Sequence, residues 1–259
     1  MEMQEDLSYN LTRESSFSYS CNRCKKCCYD KRIRLTPYEI LRLARNLEVT
    51  TEEFISQFTA EGGTILRVRS EDGGCSLLGD DGCTVHSDRP GACRIYPLGG
   101  LFQLDGQETF ALLTPHPESL GEYGTPANFK SSDTVANFLD AQGIEPYHRA
   151  NKRYVELLTR LLPLIAQQLN ETPSEGTGEY AVESGSNLPA ETVCSESEIA
   201  AWFDVDAVVE TYCSKENVPI PLDLDKQIEL HIRAMEEWAQ NLSDIATQGN
   251  ELAPVSNWI

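Results

Sequence analysis

Cysteines carry the chemistry open to this chain. Four fall within Cys21-Asn22-Arg23-Cys24-Lys25-Lys26-Cys27-Cys28, and three more follow at Cys75, Cys83 and Cys93. Thiols this dense are bridged, bound to a metal or exposed to oxidation. Cys21 with Cys24, and Cys24 with Cys27, each form C-x2-C. Two intervening residues let a tight turn aim both sulfurs at one ion about 2.3 Å away. Repeated C-x2-C-x2-C is also how bacterial ferredoxins begin to wrap an iron–sulfur cluster. Cys28 departs from that pattern by sitting directly beside Cys27. Neighbouring side chains usually point apart, so these two thiols are expected to serve different centres, or one of them is not a ligand. A disulfide between them would be strained. Two imidazoles stand near the thiols in sequence: His86, three residues past Cys83, and His116, held extended between Pro115 and Pro117. Either could complete a site.

The competing reading is the disulfide framework of a secreted protein. The acidic, polar start Met1-Glu2-Met3-Gln4-Glu5-Asp6 lacks a secretory n-region and h-region. The expectation is therefore a cytoplasmic protein whose thiols stay reduced and available to metals. No apolar run approaches the length of a membrane span, so no membrane association is expected.

Net charge is −20 over 259 residues, and it is uneven. Residues 21–97 carry 12 Lys/Arg against 11 Asp/Glu, whereas residues 171–259 carry 3 against 18. So acidic a C-terminal part repels phosphate backbones, and no nucleic-acid binding is expected. Around the cysteines the chain is locally basic, at Arg23, Lys25, Lys26, Lys31, Arg32 and Arg34. Nearby cations favour thiolate over thiol; a solvated charged loop is the plainer reading of the same residues.

The elements that must position these thiols are short. Residues 1–16 read as a mobile lead-in, and Phe17 and Tyr19 are expected to pack near the cluster. Thr36-Pro37-Tyr38-Glu39 is a capping box with proline at the first helical position. A second helix start is Thr50-Thr51-Glu52-Glu53, and both helices are expected to pack over the cysteine loop. Residues 64–69 read as a strand. Asp72-Gly73-Gly74 and Gly79-Asp80-Asp81-Gly82 turn the chain into Cys75 and Cys83. Leu101–Leu104 and Thr109–Leu113 read as a hairpin around Asp105-Gly106. Ser131-Ser132-Asp133 caps a short helix closed by Gly143. Pro146 opens a long helix striped by Tyr147, Tyr154, Leu157 and Leu161, which Pro163 should kink or break.

Residues 170–192, rich in Glu, Ser, Gly, Thr and Pro, read as a polar linker. Beyond it lies an acidic helical tail region, 193–259, with a stripe at Ile228, Ile232, Met235, Ala239 and Leu242. That stripe suits a helical hairpin or a protein partner. Cys194 and Cys213 stand alone there as non-ligands, and His231 beside the stripe is structural. The expected fold class is mainly α with a few short β-strands: a small metal-organised cysteine-cluster domain, 17–169, followed by helices.

The combination Cys21-x2-Cys24-x2-Cys27-Cys28, Cys75, Cys83 and Arg89-Pro90-x2-Cys93-Arg94-x-Tyr96-Pro97 resembles the YkgJ-like cysteine-cluster family of zinc- or iron-chelating domains, often labelled iron–sulfur-cluster-containing. The resemblance covers roughly residues 17–120. It implies that Cys21, Cys24, Cys27, Cys28, Cys75, Cys83 and Cys93 form the metal-binding set. Many relatives carry a further cysteine downstream; here none lies between 93 and 194, and His116 is its stand-in. A flagellin lysine methylase shares the cluster, but nothing here marks a methyl-donor site. No phosphate-binding glycine loop, G-x-S-x-G or H-E-x-x-H names a reaction. Two functions follow. One is a non-catalytic protein holding zinc through seven thiols and one histidine, enough for two tetrahedral sites. The other is an iron–sulfur protein doing redox chemistry or assisting an enzyme.

Overall fold

The computed structural model describes residues 8–17, 19, 24–103, 106–113, 133–168, 179–182 and 196–248. Among these the chain is mainly α-helical with short strands, as expected. The α-helices are α1 (Pro37–Asn46), α2 (Thr51–Phe58), α3 (Gly91–Ile95), α4 (Val135–Gln142), α5 (Glu145–Gln168), α6 (Glu196–Phe203), α7 (Val205–Glu216) and α8 (Leu224–Gln248). The strands are β1 (Thr59–Ala60), β2 (Ile65–Leu66), β3 (Leu78–Gly79), β4 (Gly82–Cys83), β5 (Leu98–Gln103), β6 (Glu108–Leu112) and β7 (Glu179–Val182). No helix among the described residues is long and apolar enough to cross a membrane.

Two compact units are each assembled from separated stretches. The first takes 1–34, 68–148 and 179–186; the second takes 35–67, 149–178 and 187–259. This interleaving differs from the consecutive order of cluster domain, linker and tail. A local pattern shows that a helix has an apolar face but not which distant face covers it.

The first unit is built on an antiparallel sheet in the order β6-β5-β7. The β5–β6 hairpin pairs Leu98 with Leu112 and Phe102 with Glu108. Its turn uses Gly106 at φ 91°, the left-handed region that glycine enters without a Cβ clash. Phe102 and Phe110 meet edge-to-face at 5.7 Å, and Phe17 meets Phe138 of α4 at 4.9 Å. Tyr19 stands 6.1 Å from Tyr96 in the same edge-on manner. Helix α4 is capped by Thr134, one residue past Ser131-Ser132-Asp133, and closed by Gly143 in the left-handed region. The expected linker at 170–192 lies almost wholly outside the described residues, apart from β7.

In the second unit both capping boxes form as expected. The Thr36 N–H reaches Glu39 at 2.8 Å and the Thr50 N–H reaches Glu53 at 2.9 Å. Within the second unit α1 packs with α7 and α8, and α2 with α7. Complementary polar groups fix that choice. Arg45 of α1 pairs with Asp206 of α7, whose carboxylate also accepts the Thr51 N–H at 2.9 Å. Burial alone would push the Asp206 carboxyl up, but Arg45 and Thr51 hold it below its ordinary value.

The expected strand at 64–69 shrinks to Ile65–Leu66, paired with the two-residue β1, and Val68 makes a separate antiparallel bridge to Cys75. Helix α5 continues through Pro163 to Gln168; proline removes one intrahelical donor, and the ladder resumes beyond it. The helical segment after the linker is two helices, split where Asp204 caps α7. Ile228, Ile232 and Met235 of the α8 stripe are buried. His231 is structural, bridging the Tyr154 hydroxyl and the Trp202 carbonyl at 2.9 Å each.

Candidate metal centre

The cysteine turn is set by one strained residue. Lys25 sits at φ 67°, in the left-handed region that non-glycine residues rarely enter. Its carbonyl accepts the Cys28 N–H at 2.9 Å, closing the 3-10 turn Lys26–Cys28. Its ammonium donates to the Asp80 carbonyl in the β3–β4 turn. The sulfurs of Cys27 and Cys28 lie 3.9 Å apart. The expectation that these adjacent side chains point apart is therefore corrected: the tight turn brings both sulfurs to one side. Four sulfurs about 2.3 Å from a tetrahedral ion stand about 3.8 Å from one another, so this spacing fits two corners of one thiolate site.

The second stretch is tied directly to the first. The Cys75 N–H donates to the Cys28 carbonyl at 2.8 Å, and the Asp30 N–H to the Gly73 carbonyl at 3.0 Å. Gly73 adopts φ 71°, and a Cβ there would collide with Asp30. Arg69 holds the loop from outside, binding Asp72 through two nitrogens and the Leu78 carbonyl at 2.9 Å. The Leu77 N–H points at the Cys75 sulfur from 3.4 Å, an arrangement that favours thiolate. Cys83 ends the β3–β4 hairpin opposite Leu78, and Cys93 lies in α3.

Electrostatic coupling shows which thiols share a neighbourhood. The Cys28 thiol is pushed up by its hydrogen bond to Cys27, by burial, and by negative charge on Cys27, Cys93 and Cys75. Cys27 moves the other way, lowered to about 7, first by the Cys28 hydrogen bond and further by Lys31 and Arg89. Burial raises Cys75 and Cys83, each of which also feels Cys27. Cys27 and Cys28 adjoin each other, Cys75 is bonded to Cys28 through the backbone, and Cys83 and Cys93 come near enough for their charges to act on this group; all five thiols are half-buried and come from four stretches of chain.

The remaining candidates stand differently. Cys24 is a half-buried thiol at the entrance to the turn. Cys21 and His116 lie outside the described residues, as does Cys194. Cys213 is buried in α7 of the second unit, its sulfur 3.9 Å from the Pro219 carbonyl, in keeping with its reading as a non-ligand. His86 turns an imidazole nitrogen to Arg89 at 3.0 Å. Among the described residues no three Cys, His, Asp or Glu side chains already converge on one metal-sized position. The thiols are gathered, and the donor chemistry is that of a soft-metal site.

The sequence motif contained the groups that brace this gathering without revealing what they do. Arg94 donates to the carbonyls of Arg89, at 3.0 Å, and Gln142, at 2.7 Å, and to the Tyr147 hydroxyl at 2.8 Å. Its guanidinium also lies over the Tyr147 ring, 4.5 Å from the centroid. Arg94 therefore locks the Cys93 helix to α4 and the start of α5. The Arg89-Pro90-x2-Cys93-Arg94 spacing was the signal for this role; Gln142, remote in sequence, had none.

Half-buried sulfurs in basic surroundings offer soft donors of the kind that zinc and iron accept. Comparison with protein families agrees: residues 20–114 match the CxxCxxCC family, described as "Putative zinc- or iron-chelating domain". The match spans the whole gathering and also takes in Cys21 and Cys24. No curated protein and no solved structure matches the chain.

Proposed function

We propose that this protein chelates zinc or iron through Cys27, Cys28, Cys75, Cys83 and Cys93, with Cys21, Cys24 and His116 as the further candidate ligands. The observation that carries the reading is the gathering of five thiols from four stretches, two of them 3.9 Å apart. Metal binding belongs to the first unit, and no reaction is assigned. A cytoplasmic setting suits it, because thiols stay reduced there. The acidic C-terminal part, 171–259, suits a basic protein partner better than a nucleic acid.

Five gathered thiols exceed the four that one tetrahedral ion takes. That surplus favours a second ion or an iron–sulfur cluster, with redox or enzyme-accessory work, as the other form of the same reading. Purification without oxygen from medium replete in both metals tests both. A colourless protein with stoichiometric zinc supports the zinc form. A brown protein with acid-labile sulfide supports the cluster. A well-folded chain holding neither metal overturns the proposal.

A further inference from the structure

We propose that Lys25 is a positioning residue for the thiolate centre. Its side chain fixes the cysteine turn, with Cys27 and Cys28, against the hairpin that carries Cys83, so that these thiols serve one ion. The proposal rests on the chelating function given above.

A series of backbone bonds already runs through the cysteines. The Cys28 N–H donates to the Lys25 carbonyl at 2.9 Å, the Cys75 N–H to the Cys28 carbonyl at 2.8 Å, and the Leu78 N–H to the Cys75 carbonyl at 2.9 Å. Leu78 in β3 lies opposite Cys83 in β4. The turn between those strands then comes back to the starting point, where the Asp80 carbonyl accepts from the Lys25 ammonium. The circuit closes on Lys25, and every link but this one is made within the main chain. Without it the hairpin is joined to the cysteine turn on the Cys75 side alone. The placing of Cys83 relative to Cys27 and Cys28 is then no longer set from both ends. Ligands held in place before the ion arrives need less ordering when it binds, and affinity gains accordingly.

The backbone at Lys25 points to the same role. Its φ of 67° and ψ of −4° lie in the left-handed region, which glycine enters freely and lysine does not. Glycine would close the same turn with less strain. A strained residue persists where its surroundings over-determine it, and such positions cluster at ligand clamps. What glycine lacks here is the long stem and the ammonium that reach Asp80.

The test uses the full chain, reduced, with affinity for Zn2+, and for Fe2+ without oxygen, measured by competition against a chromophoric chelator. Lys25→Met keeps the stem and the strained backbone but cannot donate. Lys25→Gly removes strain and donor together. Lys25→Arg restores a cationic donor. The first two are each expected to weaken metal binding by about 10–100-fold, the range for groups that orient metal ligands from outside, and Lys25→Arg should recover most of that loss. Denaturant unfolding of the metal-free chain separates positioning from general support. Lys25→Gly should lose affinity without a matching loss of metal-free stability, because relief of the backbone offsets the lost hydrogen bond. A double-mutant cycle reads the dependence on Cys83: in a Cys83→Ser background, Lys25→Met should cost little further affinity. Unchanged affinity in Lys25→Met overturns the inference. So does an equal fold-loss with and without Cys83, which would make Lys25 a support of the fold at large. A wild-type chain that binds neither Zn2+ nor Fe2+ overturns the chelating function and this inference with it. Wild-type binding beside an unaffected Lys25→Met overturns the inference alone.

Discussion

Acid should unlatch the second unit through His231. This side chain is 1% exposed in α8. The Trp202 carbonyl can only accept, so His231 Nε2 carries the proton and donates to it at 2.9 Å. Nδ1 is then the acceptor for the Tyr154 hydroxyl at 2.9 Å. Burial lowers the imidazole from its ordinary 6.5 to about 4, against the opposing pull of the Trp202 carbonyl. In the unfolded chain the same group takes up a proton near 6.5. Between those values the unfolded state binds more protons, so the contribution is full above pH 6.5 and is lost as pH falls toward 4. A fall from 6.5 to about 4 corresponds to roughly 3 kcal/mol, most of which is lost by pH 4.5.

Denaturant unfolding from pH 7.5 to 4.5, followed by tryptophan fluorescence, measures this. Trp202 and Trp238 both lie in the second unit. His148 of the first unit is likewise lowered to about 4, chiefly by burial. The comparison must therefore be made against His231→Gln, which cannot titrate. The variant's stability should decline less over this interval by roughly 2–3 kcal/mol, whatever its starting level. Parallel pH profiles for the two proteins would refute the reasoning.

Four further variants test the centre. Cys75→Ser replaces a soft thiolate with a protonated hydroxyl, and Zn2+ affinity should fall by more than the roughly 10–100-fold typical of an outer-shell change; Cys213→Ser, in α7, should leave metal per chain at the wild-type level by elemental analysis. His116→Ala should lower metal per chain partially if the histidine replaces the downstream cysteine of related sequences, and an unchanged ratio removes it from the ligand set. Gly73→Ala forces a Cβ into a left-handed position against Asp30 and should cost about 1 kcal/mol or more of stability. Because Gly73 sets the path into Cys75, chelator competition should show weaker Zn2+ binding as well.

What could be read along the chain is what is decided within a few residues. Thr36 and Glu39, or Thr50 and Glu53, satisfy each other's backbone donors across one helical turn, so the starts of α1 and α2 were plain. Asp105-Gly106 announced the β5–β6 hairpin in the same way, and Gly79–Gly82 announced a turn, which the structure makes the β3–β4 hairpin. The cysteine spacing named the candidate donor atoms for the proposed site, because a soft-metal site needs thiolates whatever fold presents them. Only the tertiary structure decided the rest. Cys27 and Cys28 face the same way because Lys25 takes a left-handed backbone and anchors itself on the Asp80 carbonyl, a contact across distant stretches. Helices α1 and α2 join α7 in the second unit because Asp204 and Asp206 of α7 meet Thr51 and Arg45. An amphipathic stripe requires burial but does not name its partner, and no local pattern carries that choice.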